Sequence, residues 1–318
     1  MTLVLLFGLP SFFSQPAIAQ DAAGKKNAAQ QQKGKKTGTE GAKKKPGEKK
    51  PVKKQAEAQN EPETPASIFA DKALEEAVRK QVFAKQYSNE PITKDDVASL
   101  SQVVGIGRQI RSLAGLEHCR SLMLIDLRDN QISDLTPIAS LNQLQSVMLS
   151  GNRIEDISPL RDLTSMQLLG LSKNNVADLS AIQGMSNLQT LYIAENRVSN
   201  LDVLDGLTKI WSLDASGNLL ESIAPLANLK WLTSLNLQNN SISDLSPLAE
   251  LPALKTLQLQ NNPIEDLSPL VAACKEDYNG DKRFAPYLKL YLSGLAIAPA
   301  QKEAAVKELK ACGVRVKN

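Results

Sequence analysis

Asparagine returns every 22 residues, at Asn130, Asn152, Asn174, Asn196, Asn218, Asn240 and Asn262, with no insertion or deletion between them. A globule has no reason to keep such a count. A period of this length belongs to chains that stack one supersecondary unit on the next. Each unit then buries its apolar face only against its neighbours, so the two ends of the stack need covers of their own.

Within each period the pattern L-x-x-L-x-L-x-x-N-x-I-x-x-L recurs, as in "LMLIDLRDNQISDL" (122–135) and "LTSLNLQNNSISDL" (232–245). Ile125 and Leu127, or Leu235 and Leu237, alternate with outward residues at the period of a strand, so one face points into the core. The asparagine follows that strand at a turn, where its amide offers donors and an acceptor to backbone groups that burial would otherwise leave unpaired. Stacked copies are therefore expected to form an internal amide ladder. Ile132, Leu135, Ile138 and Leu141 return the chain along the opposite side and close the core. In Thr136-Pro137, Ser158-Pro159, Ser246-Pro247 and Ser268-Pro269, a hydroxyl suited to capping precedes a proline suited to the first helical position. The segment is too brief for a full helix, so a single 3₁₀ turn is expected. Asp134, Asp156, Asp178, Asp244 and Asp266 also keep register, but Asn200 and Ser222 interrupt them. They read as turn residues bonding nearby amides, rather than as a calcium ladder, and no metal site is expected.

This is the leucine-rich repeat pattern, and its 22-residue unit with a D-L-S-P-L return resembles the internalin-type subclass of bacterial leucine-rich repeat proteins. The resemblance implies an α/β solenoid, with a curved parallel sheet on one side and short 3₁₀ turns on the convex side. It extends upstream, where "SIFADKALEEAVRKQV" (67–82) and "EPITKDDVASL" (90–100) are similar to the helical cap of that subclass, with Leu74, Ala77, Val78 and Val82 at helical spacing. A degenerate repeat follows, holding Val103, Ile110, Leu113 and Leu116 in register, with Arg108 where the asparagine belongs. After Leu270 the register breaks. "KEDYNGDKRFAPY" precedes an aberrant unit, "LKLYLSGLAIA" (288–298), in which Leu295 replaces the asparagine. A helix near 299–311 and the strand-like "GVRV" are expected to seal the open edge. The expected organisation is a helical cap over 67–99, repeats over 100–274 and a C-terminal cap over 275–318.

Composition separates the first 66 residues from this body. "MTLVLLFGLPSFFSQPAIAQ" has a short apolar run ending in Ala17-Ile18-Ala19, which reads as an export signal over 1–19, although it lacks a basic n-region. Residues 20–66 read as a disordered lysine-rich linker, because so polar a segment buries too little to offset its chain entropy. Between 21 and 60, twelve lysines face four acidic residues, giving +8; with a chain total of +3 and no charge before 21, residues 61–318 carry −5. The lysine arm could hold an anionic cell-envelope polymer or membrane surface by salt-sensitive attraction, with the repeats as a spacer. A solvated tether is the plainer reading.

Nothing in the sequence supports catalysis or a cofactor. His118 is the only histidine, and neither a nucleophile motif nor a glycine-rich phosphate loop appears. Cys119, Cys274 and Cys312 read as small buried hydrophobes, with a disulfide between Cys274 and Cys312 as the alternative. Function is expected instead on the concave sheet, where outward strand residues form an array across the repeats. Leu124, Met148, Leu168 and Tyr192, with Asp126, Arg128 and Asp214 around them, give an apolar centre with a polar rim, as protein-binding sites have. Trp211, beside Trp231 in the next repeat, is an accessory anchor or simply lateral packing. The expected partner is a protein. With so few aromatics a stacking platform for single-stranded nucleic acid is not expected, nor is sequence-specific nucleic-acid binding.

Overall fold

The computed structural model describes residues 66–317; the expected export signal and nearly all of the lysine-rich linker lie outside the described residues. One parallel sheet of ten strands runs through the molecule in sequence order. The strands are β1 (Gln102–Val104), β2 (Leu124–Asp126), β3 (Ser146–Met148), β4 (Leu168–Gly170), β5 (Thr190–Tyr192), β6 (Ser212–Asp214), β7 (Ser234–Asn236), β8 (Thr256–Gln258), β9 (Lys289–Tyr291) and β10 (Arg315–Lys317). From β1 to β8 every residue pairs with the one 22 positions on, as Val103 with Ile125 and Ile125 with Val147. The period of the sequence is thus the lateral register of the sheet.

The core is one continuous cluster, mostly leucine, isoleucine and valine, that stays buried from Leu74 in the N-terminal cap to Leu309 in the C-terminal one. On the convex side each return up to Ser246–Glu250 makes a 3₁₀ turn, such as Thr136–Ile138, Ser158–Leu160 and Asp202–Gly206. The expected hydroxyl caps are not there. The residue in the capping position is the buried leucine or isoleucine before the hydroxyl, so Thr136 or Ser158 stands one place too late to cap. Its amide donates instead to the aspartate two residues earlier, at 2.8 Å for Thr136 to Asp134, Ser158 to Asp156 and Ser180 to Asp178. The Ser158 and Ser180 hydroxyls donate to the other carboxylate oxygen. The in-register aspartates are therefore turn residues that accept from the turn they open.

The two caps depart from the repeat. At the N-terminus α1 (Lys72–Arg79) packs against β1, and α2 (Lys94–Val97) leads the chain into that strand. Asp71 opens α1 by accepting from the amides of Ala73 and Leu74, and its second oxygen takes the amides of Arg111 at 2.7 Å and Ser112 at 3.1 Å. One carboxylate therefore starts the helix and fastens it to the first repeat. Burial pushes its pKa up, but these four backbone donors outweigh that and hold it below the ordinary carboxylate value. Gly115, at φ +105°, allows the cap to lie close: a Cβ there would meet the Phe69 ring at 2.5 Å.

At the other end Ser268-Pro269 does not begin a 3₁₀ turn but a twelve-residue helix, α3 (Ser268–Asn279), which carries the chain over what a 22-residue unit would have used for its return. β9 consequently follows β8 by 33 residues, yet still pairs with it, Leu257 beside Leu290. The buried Asp277 accepts the amides of Arg283, Phe284 and Ala285 and so ties off the inserted loop. α4 (Pro299–Ala311) and β10 close the edge. Cys119, Cys274 and Cys312 are all free and buried. Burial pushes the thiols of Cys119 and Cys274 up to about 12, in Cys274 with help from neighbouring Cys312 and Asp277.

Candidate functional site: the concave sheet

The seven asparagines define what the sheet's turns can do. Each lies buried, 3–9% exposed, and none bonds to another across the stack. Asn174 donates to Leu171 O in its own repeat and to Leu149 O in the one before, at 2.8 and 3.0 Å, and accepts from Ile154 N at 2.9 Å. Asn152, Asn196, Asn218, Asn240 and Asn262 repeat the arrangement. Asn130 serves the degenerate repeat as well, taking the amides of Arg108 and Ile110 on its oxygen, so the missing asparagine at 108 leaves no gap beneath it. The ladder is made of side chain to backbone rungs. Immediately before each rung the backbone is left-handed, at Asp129, Gly151, Lys173, Glu195, Gly217, Asn239 and Asn261. Asp129, Gly151, Gly217, Asn239 and Asn261 carry a sequence signal for this conformation, whereas Lys173 and Glu195 carry none.

These turns hold the strands so that their outward residues form three columns on the concave face. Leu124, Met148 and Leu168 are partly exposed there, and Tyr192 is 37% exposed. Met148, Gly170 and Tyr192 are lateral neighbours, as are Leu124, Ser146 and Leu168. At the strand spacing of a sheet, Met148 and Tyr192 stand about 10 Å apart with a glycine between them.

The charged rim is less free than its outward register suggests. Asp126 is only 6% exposed, because Arg128 folds over it. Nε and Nη2 of Arg128 donate to the two oxygens of Asp126, both at 2.8 Å. The hydrogen bond to Asp126 raises the Arg128 pKa, so this guanidinium is a fixed cation. Asp214 is half-buried, and its Oδ1 accepts from the Ser216 hydroxyl and amide at 2.7 and 3.1 Å. Both aspartates position neighbours rather than present a bare charge. The structure adds one residue, Ile106, to the N-terminal end of the array, where the outward register already puts Val104 at the head of the Asp126 column. Val104 is 37% and Ile106 44% exposed, and Ile106 heads the Arg128 column, 22 residues before it. Counting back one period from Arg128 would have found it.

Trp211 lies apart from this group. It precedes β6 and, with Gln189, Lys209, Trp231 and Thr233, lines a separate cleft along the edge where the chain enters the strands. None of the concave-face residues named above lines that cleft.

The leucine-rich repeat family model (two copies) matches residues 120–162, 212–250 and 230–272. Internalin C2 of Listeria monocytogenes is 33% identical, with a TM-score of 0.62 over 73% of this chain and 94% of its own. The internalin InlF of the same organism is 28% identical, with a TM-score of 0.63 over 80% of this chain and 77% of its own. A leucine-rich repeat protein of Leptospira interrogans shares the fold at 21% identity and a TM-score of 0.51, over 64% of this chain and 56% of its own. A search of curated protein sequences gave no match. The fold and its site define a leucine-rich repeat solenoid. Within that class, the chain belongs to the bacterial internalin-like leucine-rich repeat proteins.

Proposed function

We propose that this is an exported, non-enzymatic recognition protein that binds another protein through the N-terminal half of its concave sheet. Leucine-rich repeat stacks typically serve as binding scaffolds, and among the described residues no helix is long and apolar enough to cross a membrane. The observation that carries the reading is a surplus of exposed and half-buried apolar side chains. Val104, Ile106, Leu124, Met148, Leu168 and Tyr192 share one face beside the fixed Arg128 cation. The stack does not need them there, since later repeats hold Asn236, Gln238 and Gln258 at the corresponding positions and keep the same register. An apolar centre against a charged, already ordered arginine is the composition of a protein-binding hot spot.

A second reading rests on the +8 carried by residues 21–60. It assigns binding to that lysine-rich segment, acting on an anionic envelope polymer or membrane surface, with the repeats as a spacer. Proximity labelling in the native organism separates the two. We expect the labelled proteins to be lost on Met148→Ala with Tyr192→Ala and kept on deletion of 21–60. Labelling that survives the double substitution and vanishes with the deletion would reverse the assignment.

A further inference from the structure

The two tryptophans of the chain, Trp211 and Trp231, are not required by the repeat. One unit either side of Trp211 stand Gln189 and Thr233, and beside Trp231 stand Lys209 and Ala253, with the strand register unchanged through all of them. Trp211 is 45% and Trp231 71% exposed, so neither is a packing residue of the core. Leaving two indoles in water forgoes the burial that stabilises aromatic residues elsewhere, and here both line one cleft.

Size decides the kind of occupant first. The cleft holds about 440 Å³ between Gln189, Lys209, Trp211, Trp231 and Thr233. A stable protein contact buries about 800 Å² on each side over some 20 residues, which five side chains do not supply. Sites for small molecules and single sugar units have this volume, and because this one is shallow and open to solvent, with a mostly apolar wall, it suits a flat ring laid on it rather than a ligand enclosed.

Charge decides next. Lys209 donates 2.7 Å to the neutral Asn187 Oδ1, so its charge is not cancelled by that bond. Lys255, next after Thr233 in the Trp211 column, is exposed as well. An organic ammonium, a frequent guest of paired tryptophans, is repelled by an ammonium lining the same cleft. An acidic guest is attracted.

Hydrogen bonding completes the description. The Gln189 amide offers a donor and an acceptor, and the Thr233 hydroxyl, which donates to Trp211 O at 3.0 Å, keeps lone pairs to accept. Flat indole faces with an amide, a hydroxyl and an ammonium beside them match a pyranose ring, apolar on its C–H faces and hydroxylated round its edge.

We propose that the Trp211–Trp231 cleft is a carbohydrate subsite that takes one or two rings of a carboxylated glycan, with the indoles against the sugar faces and Lys209 on the carboxylate. The site is independent of the concave face and stands whether or not that face binds a protein.

All tryptophan emission of the chain comes from this cleft, so fluorescence reads it directly. Titration of the whole protein with a short oligogalacturonate should give a saturable change in emission with a dissociation constant in the range of roughly 0.1 to 1 mM. Lys209→Gln should weaken it roughly tenfold. Trp231→Ala should abolish saturation in the emission of the remaining Trp211, with the circular dichroism spectrum unchanged because the side chain is exposed. Association of the glycan with the lysines of 21–60 is common to all variants, so differences between them report on the cleft alone. No emission change up to about 10 mM glycan, or an unaltered titration in Lys209→Gln, would overturn the proposal. An equal response to a polyglutamate peptide would show that acid is read without the ring, and would overturn it too.

Discussion

The same short strands carry two sets of side chains with opposite histories, one facing the ladder and one facing the concave surface. Inside, the residues at each 22-residue step are nearly the same: leucine, isoleucine or valine, with Ala215 among them, then asparagine with the same three backbone partners. Outside, the residues at each step differ, from Asp126 to Met148 to Gly170 to Tyr192. The difference teaches where selection by the fold stops. An interior amide must satisfy buried carbonyls and amides of two repeats at once, and no other side chain of that size offers both donors and an acceptor. An outward residue meets only solvent and its lateral neighbours, so the repeat leaves it free for other uses.

The largest expected effect comes from breaking the inside. Asn174→Ala removes bonds to Leu149 O, Leu171 O and Ile154 N in a space sealed from water, and should cost about 4 kcal/mol in urea unfolding. Tyr192→Ala in the same assay should cost under about 1 kcal/mol. Similar losses for the two would erase the contrast. A smaller effect is expected at the N-terminal cap, where Asp71→Ala removes a helix cap and two links to the first repeat, for about 2 kcal/mol. Hydrogen exchange should show the amides of Ala73, Leu74, Arg111 and Ser112 opening together while those beneath the Asn196 rung stay protected. If Arg111 and Ser112 alone are unaffected, the cap is not fastened through this carboxylate.

The smallest effect concerns the convex turns. Hydrogen bonds from Thr136, Ser158 and Ser180 hold Asp134, Asp156 and Asp178 below the ordinary carboxylate value. A depressed folded-state pKa contributes stability that is present above the unfolded value and fades as pH falls through the folded one. Asp156→Ala should therefore lower the Tm by only about 1 °C at pH 7, and the gap from the unchanged protein should close on acidification below about pH 4. A gap that widens in acid would mean that the turn is held by something other than the ionised aspartate.

Much of this could be read from residue types and their offsets. The ladder positions, the alternation in the strands, the 3₁₀ returns, the helix near 299–311 and the in-register turn aspartates all follow from local pattern, because each is satisfied within one unit and its neighbour. Other features required partners that the offset does not name. The aspartate rather than the following hydroxyl orders the convex turns, since the capping position falls on a leucine or isoleucine that packing has already claimed. The Ser268-Pro269 return looks like its predecessors but grows into α3, because the C-terminal cap, and not another unit, comes next in the chain. Asp71 reaches residues 40 positions away.

By itself, then, the order of amino acids determined the period, the sheet register and the identity of the buried residues, since in a stack every interior contact is a near-neighbour contact repeated at one fixed interval. The tertiary structure alone decided which outward groups remain available. Asp126 is spent on Arg128, Asp214 on Ser216, Ile106 joins the concave array, and two tryptophans from adjacent units share one cleft. The physical reason is that exposure and pairing on a surface depend on how side chains lean across strands. No periodic pattern constrains that, whereas burial in the core constrains every rotamer it contains.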